Sequence, residues 1–207
     1  QKATEKSVRN QGKNASTKGS VFLADDDRKA IDVARGGQYE VVETEAGVEG
    51  AKALKKAAEK AAKEGHKLFG FFGTNTNHLP FQTANGDFHP AKGVHGSAES
   101  YKDSDLTENP RLADMTRAAL TVLAAKPGKP FALFVEAGDV DFGLHDNNLD
   151  NAIGALYSGE AAIQVITDWV EANSNWDESV LIVTSDHGHY LVLDHPKALS
   201  GAAKRAK

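Results

Sequence analysis

Short apolar runs alternate with helical stripes along this chain. Val21 to Leu23 is a brief apolar run, and Asp25 to Arg35 carries Ala30, Ile31, Val33 and Ala34 at helical spacing before Gly36-Gly37. Tyr39 to Val42 reads as a strand. From Val48 to Glu64 the apolar positions Val48, Ala51, Leu54, Ala58 and Ala61 mark one helix face, with Glu59 and Lys63 paired one turn apart and Gly65 placed to end the helix. His66 to Phe72 predicts a buried strand that empties into a long polar loop, Gly73 to Ser104. Asn109-Pro110 predicts the start of a second helix, whose face is Leu112, Met115, Ala119, Val122 and Leu123 and which ends by Pro127-Gly128. Phe131 to Val135 predicts another buried strand and is followed by a polar turn. A helix from Leu149 to Ala172 then presents Ile153, Leu156, Ile163, Ile166 and Val170 on one face, and Ser179 to Val183 reads as a last strand.

Strands alternating with helices of this length predict an α/β fold: a mostly parallel sheet with helices on both faces. Residues 1–20 are polar and basic without apolar periodicity, so they are expected to be peripheral. Residues 21–195 make the α/β domain, and residues 196–207 a basic tail.

Composition narrows the chemistry. The 29 Asp+Glu outnumber the 24 Lys+Arg, giving a formal net charge of -5, so sequence-independent attraction to nucleic acid is not expected. Zero cysteines exclude disulfides, thiolate catalysis and cysteine zinc sites, so any metal falls to His, Asp and Glu. No apolar run approaches the ~20 residues that span a bilayer, and a soluble protein without membrane contact is expected. Because the chain begins at Gln1 and has its one Met at position 115, the gene product is expected to start upstream.

Ligands of an open parallel sheet bind outside the carboxyl ends of its strands. Two expected strands end in metal-type residues. Phe131 to Val135 runs into Glu136, Asp141 and His145, and Ser179 to Val183 runs into Asp186, His187 and His189. A carboxylate and a histidine four residues apart can close on one ion, and an adjacent Asp-His pair can serve another where the backbone turns. The alternative is structural: aspartates capping turns, and histidines hydrogen-bonded in partly buried places. That alternative treats each residue singly and leaves the gathering of three histidines at two strand ends unexplained. The other five, His66, His78, His89, His95 and His195, are read as structural or solvent-facing, with His95 in the long loop the one to watch.

The segments FALFVEAGDVDFGLH and LIVTSDHGH resemble the alkaline phosphatase family's V-E-G strand with D-x-x-x-H and its T-A-D-H-x-H signature. GQYEVVETEAGVEG, KLFGFFGTNTNHLPF and LADMTRAALTVLA are similar to further strands and helices of that family, so the resemblance runs through most of Val21 to Tyr190. It implies Glu136 as a ligand of a magnesium site, Asp141 and His145 as ligands of one zinc, Asp186 and His187 as ligands of a second, and His189 as a histidine outside the ligand set that orients the ligands. Ala137 and Ser185 stand where the family commonly has glycine and alanine.

The resemblance covers the middle of the family fold. The family's serine nucleophile lies upstream of everything matched, and Asp103-Ser104, in a polar setting before Asp105 and Leu106, is read as a turn. The bridging aspartate, the phosphate-clamping arginine and the last zinc histidine have no counterpart either. Each zinc position keeps two ligands and the magnesium position one, so weak metal binding is expected. The resemblance therefore implies a fragment of a metal-dependent phosphomonoesterase, with little or no turnover by itself, acting on phosphomonoesters when intact, able to form a homodimer, and periplasmic or secreted as the family is. The competing expectation is a non-catalytic metal-binding or interaction protein on the same fold. A related phosphodiesterase, phosphomutase or sulfatase fits less well because of the V-E strand and Glu136.

Overall fold

The computed structural model describes residues 39–74, 78–80, 82–94, 96, 98 and 100–189. The expected elements at Val21 to Leu23 and Asp25 to Arg35, the terminal segments, His95 and His195 lie outside the described residues.

Strand β1 (Tyr39–Glu43) and strand β2 (Lys67–Phe71) pair in parallel, joined by helix α1 (Gly50–Glu64). Parallel neighbours need a crossover of this kind, which the amphipathic stretch after Val48 supplies. Gly65 ends α1 in the left-handed conformation, φ 71°, and its N–H bonds to the Ala61 carbonyl, as its position after the last periodic residue predicts. The pairing sets Glu40 opposite Leu68 and Val42 opposite Gly70, so Val42, Leu68 and Gly70 share one face of the ribbon. That face packs against α1 through Leu54, whose side chain comes up to Gly70.

Helix α2 (Asp103–Thr107), helix α3 (Leu112–Leu123), helix α4 (Asp139–His145) and helix α5 (Leu149–Asn173) follow. The packing runs in sequence: ribbon on α1, α1 on α3, α3 on α5, and α5 on α4. Leu54, Ala58, Phe72 and Ala118 form the buried cluster where the ribbon, α1 and α3 meet, with Val42, Leu68, Leu79, Met115 and Val122 against it. Burying this many apolar side chains at ~25 cal/mol per Å² is what holds the layers together.

Three local expectations change. Asp103-Ser104 opens the short helix α2 instead of making a turn, because the Asp105 carboxylate accepts from the Lys102 N–H at 2.8 Å and closes its first turn. Helix α3 begins at Leu112, later than Asn109-Pro110 suggests. Asn109 is otherwise engaged: its Oδ1 accepts from the Gly73 N–H at 2.8 Å and from Thr44 Oγ1 at 3.3 Å, and its Nδ2 donates to the Asp105 carbonyl at 2.8 Å. The polar turn after Glu136 is the seven-residue helix α4, favoured by Asp139 and Asp141 in its first turn. Asn147, at φ 48°, turns the chain from α4 into α5, and the Asn148 side chain caps α5 by accepting from the Asn151 N–H at 3.1 Å.

The buried face of α5 keeps Val170 but is otherwise made largely of small residues and not of the larger apolar ones expected. Ala152, Gly154, Ala155, Ala162, Val165 and Val170 are buried, while Leu156 is more than half exposed. Small residues let neighbouring backbones come close. A β-carbon on Gly143 would meet the Ala152 backbone of α5, and one on Gly154 would overlap the Gln82 carbonyl of the long loop.

The two segments expected as strands ending in metal-type residues have no regular secondary structure and belong to no sheet among the described residues. Phe134 is 89% exposed and Ile182 76%. A strand needs a lateral partner for its backbone and a cover for its side chains, and the described residues provide neither. The segment from Phe131 instead lies along α5, where Phe131 meets Trp169 edge to face at 5.6 Å and Ala137 abuts Gly159. The class is α/β with parallel pairing, as expected. The described sheet has two strands.

Candidate metal centre

Helix α4 brings Asp141 and His145 onto one face, one turn apart, with His145 Nε2 3.4 Å from Asp141 Oδ2. The irregular segment after Val183, which bends at Asp186 and His187, approaches the same aspartate. His189 Nε2 lies 3.2 Å and His187 Nε2 3.7 Å from Asp141 Oδ1, and the His145 and His189 rings meet edge to face at 4.4 Å. Asp186 Oδ2 stands 3.6 Å from His187 Nε2, with its side chain 90% exposed. Residues far apart in sequence therefore converge on one carboxylate.

Asp141, His145 and His189 offer one donor atom each within 4.8 Å of one another. Donors around a tetrahedral zinc at about 2.0–2.2 Å stand roughly 3.3–3.6 Å apart, which is close to the contacts found. Asp141 Oδ1 is buried and accepts no hydrogen bond from the described residues, a cost that a cation would relieve. One carboxylate and two imidazoles are the donor set of a borderline divalent ion, so the residues present fit a metal of the zinc type.

His187 also faces these carboxylates, and a metal bound through it would have to displace its proton. The Gly188 carbonyl, 2.9 Å from its Nδ1, holds the ring in its charged form to higher pH than a free histidine, with Asp186 and then Asp141 adding to the effect. With Nδ1–H donating to that carbonyl, Nε2 faces the carboxylates, the atom a metal would need. Ser185 Oγ donates to the His187 carbonyl at 2.6 Å and further fixes this turn.

The resemblance gives His189 an orienting role. Here its Nε2 is within ligating reach itself, and its side chain, 16% exposed, is the most enclosed of the three histidines. Glu136 stands apart. It is exposed, precedes α4, and lines a cavity of about 380 Å³ together with Asp139, Arg111, Asn109 and His78. Nothing in the spacing of Glu136 and Arg111 signals that they share a cavity. The proximity comes from α3 and α5 packing beside the loop.

The chain matches the family model described as alkaline phosphatase over residues 11–202. It is 35% identical over 89 residues to the membrane-bound alkaline phosphatase of Bombyx mori, covering 43% of this chain and 15% of that protein. It is 29% identical over 94 residues to the tissue-nonspecific alkaline phosphatase isozyme of Felis catus, covering 45% of this chain and 17% of that protein. The aligned stretch thus spans about a sixth of the curated relatives' length. No solved structure gives a significant match. The family model spans nearly the whole chain and includes both metal-type segments, and this chain belongs to the alkaline phosphatase family.

Proposed function

We propose that this chain carries part of the metal centre of a phosphomonoesterase, with Asp141, His145 and His189 as one ligand set and Asp186 with His187 as the beginning of a second. The observation that carries the reading is the convergence of two distant segments on the buried, unsatisfied Asp141 Oδ1. Metal ions of the zinc and magnesium type, when bound, supply Lewis-acid polarisation of a phosphoryl oxygen and lower the pKa of a nucleophilic hydroxyl. The chain's residues supply the rest: Asp141 provides the negative charge, the Gly188 carbonyl orients His187, and α4 fixes the Asp141–His145 spacing. Glu136 is the residue assigned to magnesium, at the rim of the cavity that Arg111 also lines.

Turnover by the 207-residue chain alone is expected to be slight. Ser104 is exposed on α2, and Ser185 Oγ is committed to the His187 carbonyl, so neither is set up as a nucleophile. His145 and His187 are more than half exposed, an environment in which water weakens each electrostatic contact. That exposure favours, as a second reading, a metal-binding role without catalysis. The family's secreted or membrane-anchored forms support a site of action outside the cytoplasm. Among the described residues no helix is long and apolar enough to cross a membrane.

Hydrolysis of p-nitrophenyl phosphate with added zinc and magnesium tests both parts. Slow or no turnover together with zinc binding is expected. Robust turnover abolished by Asp141→Asn would retain the centre and overturn the low activity, whereas absence of zinc binding would overturn the centre.

A further inference from the structure

A second group of metal-type side chains lies on the βαβ unit. We propose that Glu40, Glu64 and His66 form a surface site for a zinc-type divalent cation, separate from the Asp141 centre. The sequence separates these residues, and the fold joins them. Glu40 is in β1, Glu64 is the last residue of α1, and His66 follows the Gly65 turn directly before β2. Glu40 pairs with Leu68, so His66, two residues before Leu68, lies on the same side of the ribbon as Glu40, the side that α1 covers. The His66 backbone is held by its N–H bond to the Ala61 carbonyl at 2.9 Å.

The three residues offer one donor atom each within 4.8 Å of one another. His66 Nδ1 is buried without a hydrogen-bond partner among the described residues, 3.2 Å from Glu64 Oε2. One imidazole and two carboxylates suit zinc and leave a fourth position for water. The carboxyl end of α1 adds the partial negative charge of its last carbonyls. One cation already competes: Lys60 Nζ, from α1, sits 2.8 Å from Glu40 Oε2. Its side chain is about half exposed, so an arriving ion can displace it into water without breaking the core.

Zinc titration by calorimetry, with cobalt absorption as a second readout, tests the site in the full chain carrying Asp141→Asn and His189→Gln, which removes the centre described above. One equivalent of zinc should still bind. Adding His66→Gln or Glu64→Gln should weaken it by at least about tenfold. Glu64 is well exposed on the last helical turn, so Glu64→Gln keeps the test decisive where His66→Gln disturbs folding. Lys60→Met should tighten binding several-fold by freeing Glu40, an effect that scattered surface binding would not give. No zinc bound in the double variant, or affinities indifferent to Glu64→Gln and Lys60→Met, would overturn the proposal.

Discussion

The two segments that end in metal-type residues are more apolar in sequence than the βαβ unit, yet the βαβ unit with α3 is the packed core and the segments are open. Leu54, among the lysines of α1, is 3% exposed, whereas Ile182, in an unbroken apolar run, is 76% exposed. The difference lies in lateral partners. β1 finds β2 through a local crossover, and the shared face meets α1 and α3. The segments from Phe131 and Ser179 have no paired strand among the described residues, so their hydrophobicity does not become stability there. They are tied to the rest chiefly at their ends, through Phe131 on Trp169 and through the histidines around Asp141.

Truncation should separate the two regions most strongly. Leu54→Ala is expected to cost about 2–5 kcal/mol, from lost burial and the cavity left behind. Ile182→Ala should stay within about 0.5 kcal/mol, as for a surface change. Urea unfolding of both variants measures the contrast. Equal effects would mean that the Ser179 segment is packed in solution.

Next in size is Gly154→Ala. Its new methyl would collide with the Gln82 carbonyl, a backbone atom with little room to move, so a loss of about 1–3 kcal/mol is expected. The same denaturation experiment reads it. A neutral outcome would show that the long loop does not rest on α5.

The smallest effect concerns that loop's own turn. Asp87 accepts from the His89 N–H at 2.9 Å and from Thr83 Oγ1 at 2.8 Å, and these bonds hold its carboxyl below the usual range. A lowered folded-state pKa contributes stability that is present above the ordinary carboxylate range and is lost as pH falls through the folded value. Nuclear magnetic resonance titration should find Asp87 ionising below a free aspartate, with the turn loosening only in acid. Asp87→Asn should remove that acid dependence while barely changing global stability.

Much of the packed region was legible in the sequence because its signals are local. The stripe from Leu54 to Ala61 and the Gly65 stop define α1 within two residues of its expected start. The α5 limits also agree to one residue, yet its buried face did not show in the pattern, because close helix packing selects Ala152, Ala155 and Ala162 over the larger Ile153 and Leu156. The i,i+4 spacing of Asp141 and His145 was readable as a ligand pair, although its helix read as a turn. The approach of His189 to the same carboxylate was not, since it depends on how a distant segment crosses α4. Glu40 and His66 were invisible for a similar reason, as strand register and a crossover bring them together.

The most direct test of the central claim is zinc stoichiometry in the full chain before and after Asp141→Asn. That carboxylate faces His145, His187 and His189 alike, so its loss should remove one bound equivalent. It should also abolish any zinc-dependent slowing of amide exchange at residues 184–189. Unchanged stoichiometry and unchanged exchange would contradict a metal centre built on Asp141.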